Sequence, residues 1–144
     1  MAIGQTQTTV FKLNLLKGLE NFDTGTPYTY KIALYTANAT LNETTTAYTT
    51  DYEVSSSGTG YTAGGETLTI TGLGSDTNNN TAYVSFDNVT WNPANFTTAG
   101  ALIYNSTTNA AVCVLNFGSD KTATSTFTIT FPAATSTTAV LRIN

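Results

Sequence analysis

The chain has no histidine, one cysteine and three prolines. Without histidine, the usual base for a serine or cysteine nucleophile is missing, and so are the histidine-containing zinc sites. Cys113 cannot form an internal disulfide alone, and its place in the apolar run AAVCVLNF suits a small buried hydrophobe. Charge is scarce: 10% of residues are charged, five of them basic and nine acidic, giving a formal net charge of −4. The five basic residues, Lys12, Lys17, Lys31, Lys121 and Arg142, are scattered, so no patch gathers to neutralise phosphates and nucleic acid is not expected as a partner. No apolar run approaches the roughly 18 residues of a membrane span, and no basic and then apolar leader opens the sequence. Neither a membrane partner nor a secretory signal is expected.

Threonine is present in abundance, and it favours a pleated, half-buried backbone and a surface of hydroxyls rather than ions. The 144 residues suit one core. Near the start, Phe11, Leu15, Leu19 and Phe22 recur at helical spacing, predicting a short helix capped by Thr8 or Thr9 and weakened by Gly18. From Pro27 the period becomes two, with Tyr28, Tyr30, Ile32 and Leu34 on one strand face. Further strands are expected at 66–71, 81–86, 100–105, 110–117, 126–131 and 139–144, separated by the turn-rich pieces LGSDTNNN, NSTTN, GSDKTATS and PAATST. The expected fold is mainly β, an antiparallel β-sandwich or jelly roll with one short N-terminal α-helix. Residues 1–26 form a helical arm and 27–144 the sandwich.

Few residues suggest chemistry. The stretch SSSGTGYTAGGET, with Gly58, Gly60, Gly64 and Gly65, looks like a phosphate loop, but Glu66 and a strand follow where a lysine and a helix N-terminus would be needed. A set of turns with positive φ is the better reading. Asp76, Asn78, Asn80 and Asp87 imitate a calcium loop, yet Thr81 stands where its glycine belongs and a strand runs through its middle, so an Asx-rich hairpin turn is expected. Asp51 and Glu53 have the spacing of an acid/base pair but are read as a solvated surface pair. No cofactor or metal is expected, and no catalysis. The long polar segment Ala37–Gly65 carries Tyr48, Tyr52 and Tyr61, which either form a contact surface or pin the loop to its own domain. Trp91, in FDNVTWNPANF, is either a core plug or, with the tyrosines, a sugar-stacking platform of a carbohydrate-binding module.

The succession FKLNLLKGLENF, YKIALYTANATLNETTTAYTT, YEVSSSGTGYTAGGETLT, AYVSFDNVTW, AGALIYN, AVCVLNFGSDK and FTITFPAATSTTAVLRIN resembles a group of small virion proteins of tailed bacteriophages, over almost the whole chain. Lys31–Thr36, Gly58–Gly65, Gly100–Asn105 and Phe117–Lys121 are its most specific elements. The resemblance implies a structural protein located in the virion, a capsid decoration or cement protein, or else a tail adaptor or fibre-associated protein. Its partners would be major capsid or tail proteins and further copies of itself. Assembly contacts are then expected from Phe11, Leu15, Leu19 and Phe22 of the arm and from Tyr48, Tyr52 and Tyr61 of the loop.

Overall fold

The computed structural model describes residues 2–144. The chain begins with a two-residue edge strand, β1 (Thr6–Gln7), and turns directly into α1 (Thr9–Lys17). Thr8, in extended conformation, accepts the Phe11 N–H on its hydroxyl at 3.2 Å and so caps the helix. Gly18, at φ +72°, ends it: its N–H and that of Leu19 return to the carbonyls of Leu15 and Asn14 at 3.2 and 2.8 Å. The glycine therefore stops the helix instead of weakening its middle. Leu19 and Phe22 of the expected stripe lie beyond the last turn.

The remaining elements are strands: β2 (Tyr30–Tyr35), β3 (Glu66–Thr67), β4 (Ile70–Asp76), β5 (Thr81–Phe86), β6 (Val89–Trp91), β7 (Phe96–Asn105), β8 (Ala110–Ala123), β9 (Phe127–Ile129) and β10 (Leu141–Ile143). With 42% strand and 6% helix the protein is a mainly β sandwich, and every strand pairing is antiparallel. A five-stranded sheet runs in the order β1-β8-β7-β2-β3, a three-stranded sheet in the order β10-β5-β4, and β6 and β9 form a separate ribbon.

The strands differ from the sequence reading in several places: β1 and β6 were not expected, β7 begins four residues earlier, and β9 and β10 are shorter. The run ETLTIT is interrupted at Leu68–Thr69, because β3 pairs with β2 while β4 pairs with β5: the chain changes sheets there. The glycine-containing LGSD, expected as a turn, is instead the second half of β4, accommodated by an irregularity in register between Thr71 and Gly74. GSDK, also expected as a turn, belongs to β8, where Lys121 pairs with Thr98 and the Thr122 and Thr97 hydroxyls meet at 2.9 Å. Hydrophobicity does not mark this exposed arm as a strand; its pairing with β7, including the Thr97–Thr122 pair, holds it.

The five-stranded sheet is buried on both faces. On one face Ile32 lies opposite Ile103, which in turn lies opposite Cys113, and these join Tyr30, Leu34, Trp91, Phe86, Phe96, Phe131 and Phe11 in the main core. On the other, Ala33, Tyr35, Leu102, Tyr104 and Val114 form a second core with Ala39 and Leu41 of the long connection, and Ile3, Val10 and Tyr48 pack against it. The N-terminal segment is part of this structure. β1 extends the sheet along β8, Phe11 is 2% exposed in the main core, and Phe22 stacks on Tyr30 at 4.4 Å. The boundary drawn at residue 26 therefore separates nothing in the packing.

All four glycines of the 58–65 stretch have positive φ, as their reading as turns requires. They differ in surroundings. A Cβ on Gly65 would overlap the Ile32 carbonyl, whereas one on Gly58 would meet open space. Gly58→Ala should lower stability by about 1 kcal/mol from the left-handed backbone alone. Gly65→Ala should lose roughly 3 kcal/mol or more, since β2 must also shift. Urea unfolding of the two variants checks this; equal losses would contradict the packing of Gly65 against β2.

Candidate functional site: the loop over the second sheet face

A thirty-residue connection between β2 and β3 has no regular structure of its own, so its backbone groups must find partners elsewhere. They find them on the sheet. The Thr36 N–H donates to the Tyr52 carbonyl and the Val54 N–H to that of Leu34, both at 2.9 Å, while the N–H of Ala111 reaches Thr46 at 3.0 Å. Single bridges pair Leu41 with Ile3, Glu53 with Tyr35, and Ala47 with Ala110. Its first part, with Ala39, Leu41 and Tyr48, is thereby fastened over the second face of the five-stranded sheet, while Val54 and Tyr61 pack into the main core.

Glu53 is the point where the fastenings meet. Its Oε1 accepts the Tyr48 hydroxyl at 2.7 Å, and its Oε2 accepts the Tyr61 hydroxyl at 2.5 Å and the Gly64 N–H at 2.8 Å. Tyr61 also accepts the Leu34 N–H at 3.0 Å, linking the loop to β2. Tyr104, from β7, donates to the Gly64 carbonyl at 2.6 Å and stacks its ring on Tyr48 at 4.7 Å. Burial raises the hydroxyl of Tyr61 furthest, with the bond to Glu53 acting in the same direction. Tyr48 is raised for the same two reasons, and Tyr104 is pushed up to about 12, again mainly by burial. These hydroxyls are donors fixed in their protonated form, unsuited to proton transfer near neutral pH.

The expected contact residues are thus divided. Tyr61 is 2% exposed and stacks toward Trp91, so it is a core residue and offers no contact face. Tyr48 is half-buried, and Tyr52 alone points outward, 51% exposed at φ +62°. From the helical stripe, Phe11 is buried and Leu15 and Phe22 are partly buried against the same core, while Leu19 is 44% exposed. Asp51 and Glu53 are not a solvated pair, because only Asp51 is exposed. A hint was present in the sequence: Glu53 is a lone acid among tyrosines at 48, 52 and 61, but no spacing rule turns that grouping into a network.

Asp76 also serves the fold. Its Oδ1 accepts the Asn78 and Asn79 N–H groups, and its Oδ2 accepts the Ser136 hydroxyl at 2.6 Å and the Asn79 amide at 2.7 Å. These bonds, that from Ser136 first, hold its carboxyl below the usual range. Asn80 takes φ +54° in the turn before β5, as an Asx-rich hairpin turn permits. Among the described residues no three His, Cys, Asp or Glu side chains gather in a way that would hold a metal ion. Cys113 is buried, which pushes its thiol up to about 12. Among the described residues no helix is long and apolar enough to cross a membrane.

Among the described residues, two buried side-chain polar atoms lack partners, Trp91 Nε1 and Glu20 Oε2. Trp91 is 1% exposed among Tyr61, Phe96 and Phe127. Glu20, just after the helix, accepts Tyr30 and Asn105 on Oε1 at 3.0 and 2.8 Å, which ties the helix exit to β2 and β7. Desolvation raises its carboxyl above the ordinary value, against the effect of those bonds.

Compared with protein-family models, with curated proteins and with solved structures, the chain matches none. Its site must be judged on its own geometry.

Two predictions follow from the carboxylates. Glu53→Ala leaves two tyrosine hydroxyls and the Gly64 N–H without their acceptor and should lower stability by about 3 kcal/mol, whereas Asp51→Ala should change it by no more than about 0.5 kcal/mol. Chemical denaturation distinguishes them, and equal small effects would remove Glu53 from its role. Glu20, with a folded value above the unfolded one, supports the fold fully below about pH 4.3, the ordinary glutamate value, and loses that contribution as pH rises through its raised value. The melting temperature of Glu20→Gln relative to the parent should therefore climb between pH 4 and pH 7; a difference constant over that range would contradict the shift.

Proposed function

We propose that the chain is a structural protein of a tailed-bacteriophage virion, a head decoration or cement protein that associates with its own copies and with the major capsid protein. A tail adaptor or fibre-associated module is the same reading at another place on the particle. The supporting observation is that the side chains which could have formed a reactive site are occupied in holding the fold. Glu53 is engaged by three donors, Asp76 by four, and Glu20 is buried. What the surface presents is hydroxyl-rich and weakly charged, interrupted by the exposed Leu13, Leu16, Leu19, Tyr52, Leu73 and Ile143. Such a surface suits contact with other proteins rather than turnover of a small molecule.

The resemblance over nearly the whole sequence supplies the kind of assembly. A sandwich with a stitched loop is stiff, and its open strand edges and apolar side chains are protected when copies pack together. The carbohydrate-binding alternative needs an exposed aromatic platform, and Trp91 offers none because it is enclosed in the core.

Purified particles test the proposal. Mass spectrometry with cross-linking should find the protein in the virion, joined to the major capsid protein if it decorates the head. Particles lacking it should form but lose resistance to heating. Recovery of the protein only from the soluble fraction of infected cells, with none in purified virions, would overturn the reading.

A further inference from the structure

β8 and β9 follow one another in the chain yet do not pair. β8 bonds to β7 and β1, and after residues 124–126 β9 bonds only to β6. The two strands therefore diverge, and a groove opens between them. One part of it is a hollow of about 340 Å³ lined by Phe117, Lys121, Phe127, Thr128, Ile129 and Thr130. Phe117, Ile129 and Thr130 also line a second hollow of about 340 Å³, which carries the groove on past Gln5 and Gln7 to Arg142.

Both sides of the groove are strands whose edges have no neighbouring strand there. β1 covers β8 only at Cys113 and Val114. Beyond it, side-chain oxygens take the place of a strand's carbonyls: Gln5 Oε1 accepts the Asn116 N–H at 3.2 Å and Asn116 Oδ1 the Gly118 N–H at 2.8 Å. On β9 the edge is open. Backbone groups alternate between the two edges of a strand, and the Phe131 N–H bonds the Asn88 side chain on the β6 side at 3.0 Å, so those of Thr128 and Thr130 turn to the other edge. Both threonines are exposed. Among the described residues the charged side chains lining the two hollows are Lys121 and Arg142, both exposed and both positive. Asp120 turns into a separate hollow with Ile3 and Ala99, and Asp76 and Asn144 line another. On a protein of net charge −4 the groove is a positive strip.

We propose that this groove binds an extended, acidic peptide segment of another protein, which adds as a strand to the open edge of β9. The backbone groups of Thr128 and Thr130, two residues apart on one edge, match the repeat of an extended main chain, which neither a sugar nor a nucleotide reproduces. Phe117 and Phe127, both half-buried, offer apolar contact to its alternate side chains. Lys121 and Arg142 favour carboxylates beside them. A second copy pairing through the same edge would bring its own Lys121 and Arg142 against these two, so the strand comes from a different protein. The inference does not depend on the virion reading.

Titration of the isotope-labelled full chain with the end-blocked peptide EVTVTVE, followed by NMR, tests the proposal. The amides of Thr128 and Thr130 should shift most and those of residues 117–121 less, with a midpoint of about 0.1–1 mM. The same peptide N-methylated at its central residues keeps the side chains but loses the N–H donors, and it should not bind. KVTVTVK should bind about ten-fold more weakly or worse, and Lys121→Glu should weaken EVTVTVE by about three-fold or more. That variant should keep the parent's melting temperature, since Lys121 Nζ bonds only the Ser119 hydroxyl. Absence of shifts at Thr128 and Thr130 up to about 5 mM EVTVTVE would overturn the proposal. Equal binding of the N-methylated peptide or of KVTVTVK would do the same, the first by removing strand pairing and the second by removing the charge selection. Self-association of the parent that EVTVTVE displaces would give the groove to a second copy and would also overturn it.

Discussion

The Glu53 carboxylate draws two tyrosine hydroxyls and a backbone N–H to one point, and the arrangement of the long loop depends on it. The five-stranded sheet is apolar on both sides. The smaller sheet, the β6–β9 ribbon and the helix cover one side, but no second layer of regular structure is available for the other. A loop must do it. Loops carry backbone groups that need partners, and here they are met by bridges to β2, β8 and the N-terminus and by the tyrosines converging on Glu53. The low-dielectric setting that makes this network strong also makes a missing member costly.

The same constraint occupies several of the residues that most suggested chemistry. The Glu53 oxygens are taken up by three donors, and tyrosines raised by burial are poor acids at neutral pH. Gly65 lets the chain pass against the Ile32 carbonyl of β2, and Gly60 lets it pass against the Pro93 carbonyl. Features that resemble a phosphate loop and an acid/base pair are therefore parts of one fastening. The helix belongs to the same scheme, since β1 and Phe11 fix its inner face on the sandwich and leave only its outer leucines free.

Much of the architecture was legible in the residues. The alternation of Tyr30, Ile32 and Leu34 marked β2, and the helical spacing of Phe11 and Leu15 marked α1, because burial imposes those periods directly. The runs IALY, ALIY and AAVCV lie in strands buried on both faces, which the period-two reading did not register. The strand character of GSDK was hidden, since its pairing with β7, including Thr97 with Thr122, depends on partners distant in sequence, and Gly18 was read as a weak point inside the helix although it is the left-handed cap that ends it. Glu53 was the least legible: its partners lie five, eight and eleven residues away, in a segment without periodicity.

Hydrogen exchange of individual amides tests the central claim, that the 36–65 segment is part of the core rather than a free loop. The N–H groups of Thr36, Val54 and Gly64, bonded to the Tyr52 and Leu34 carbonyls and to Glu53, should exchange as slowly as those in the middle of β2 and β7, near the limit set by global unfolding. Exchange of these three amides within seconds, while β2 and β7 stay protected, would show that the loop opens independently and would contradict the account.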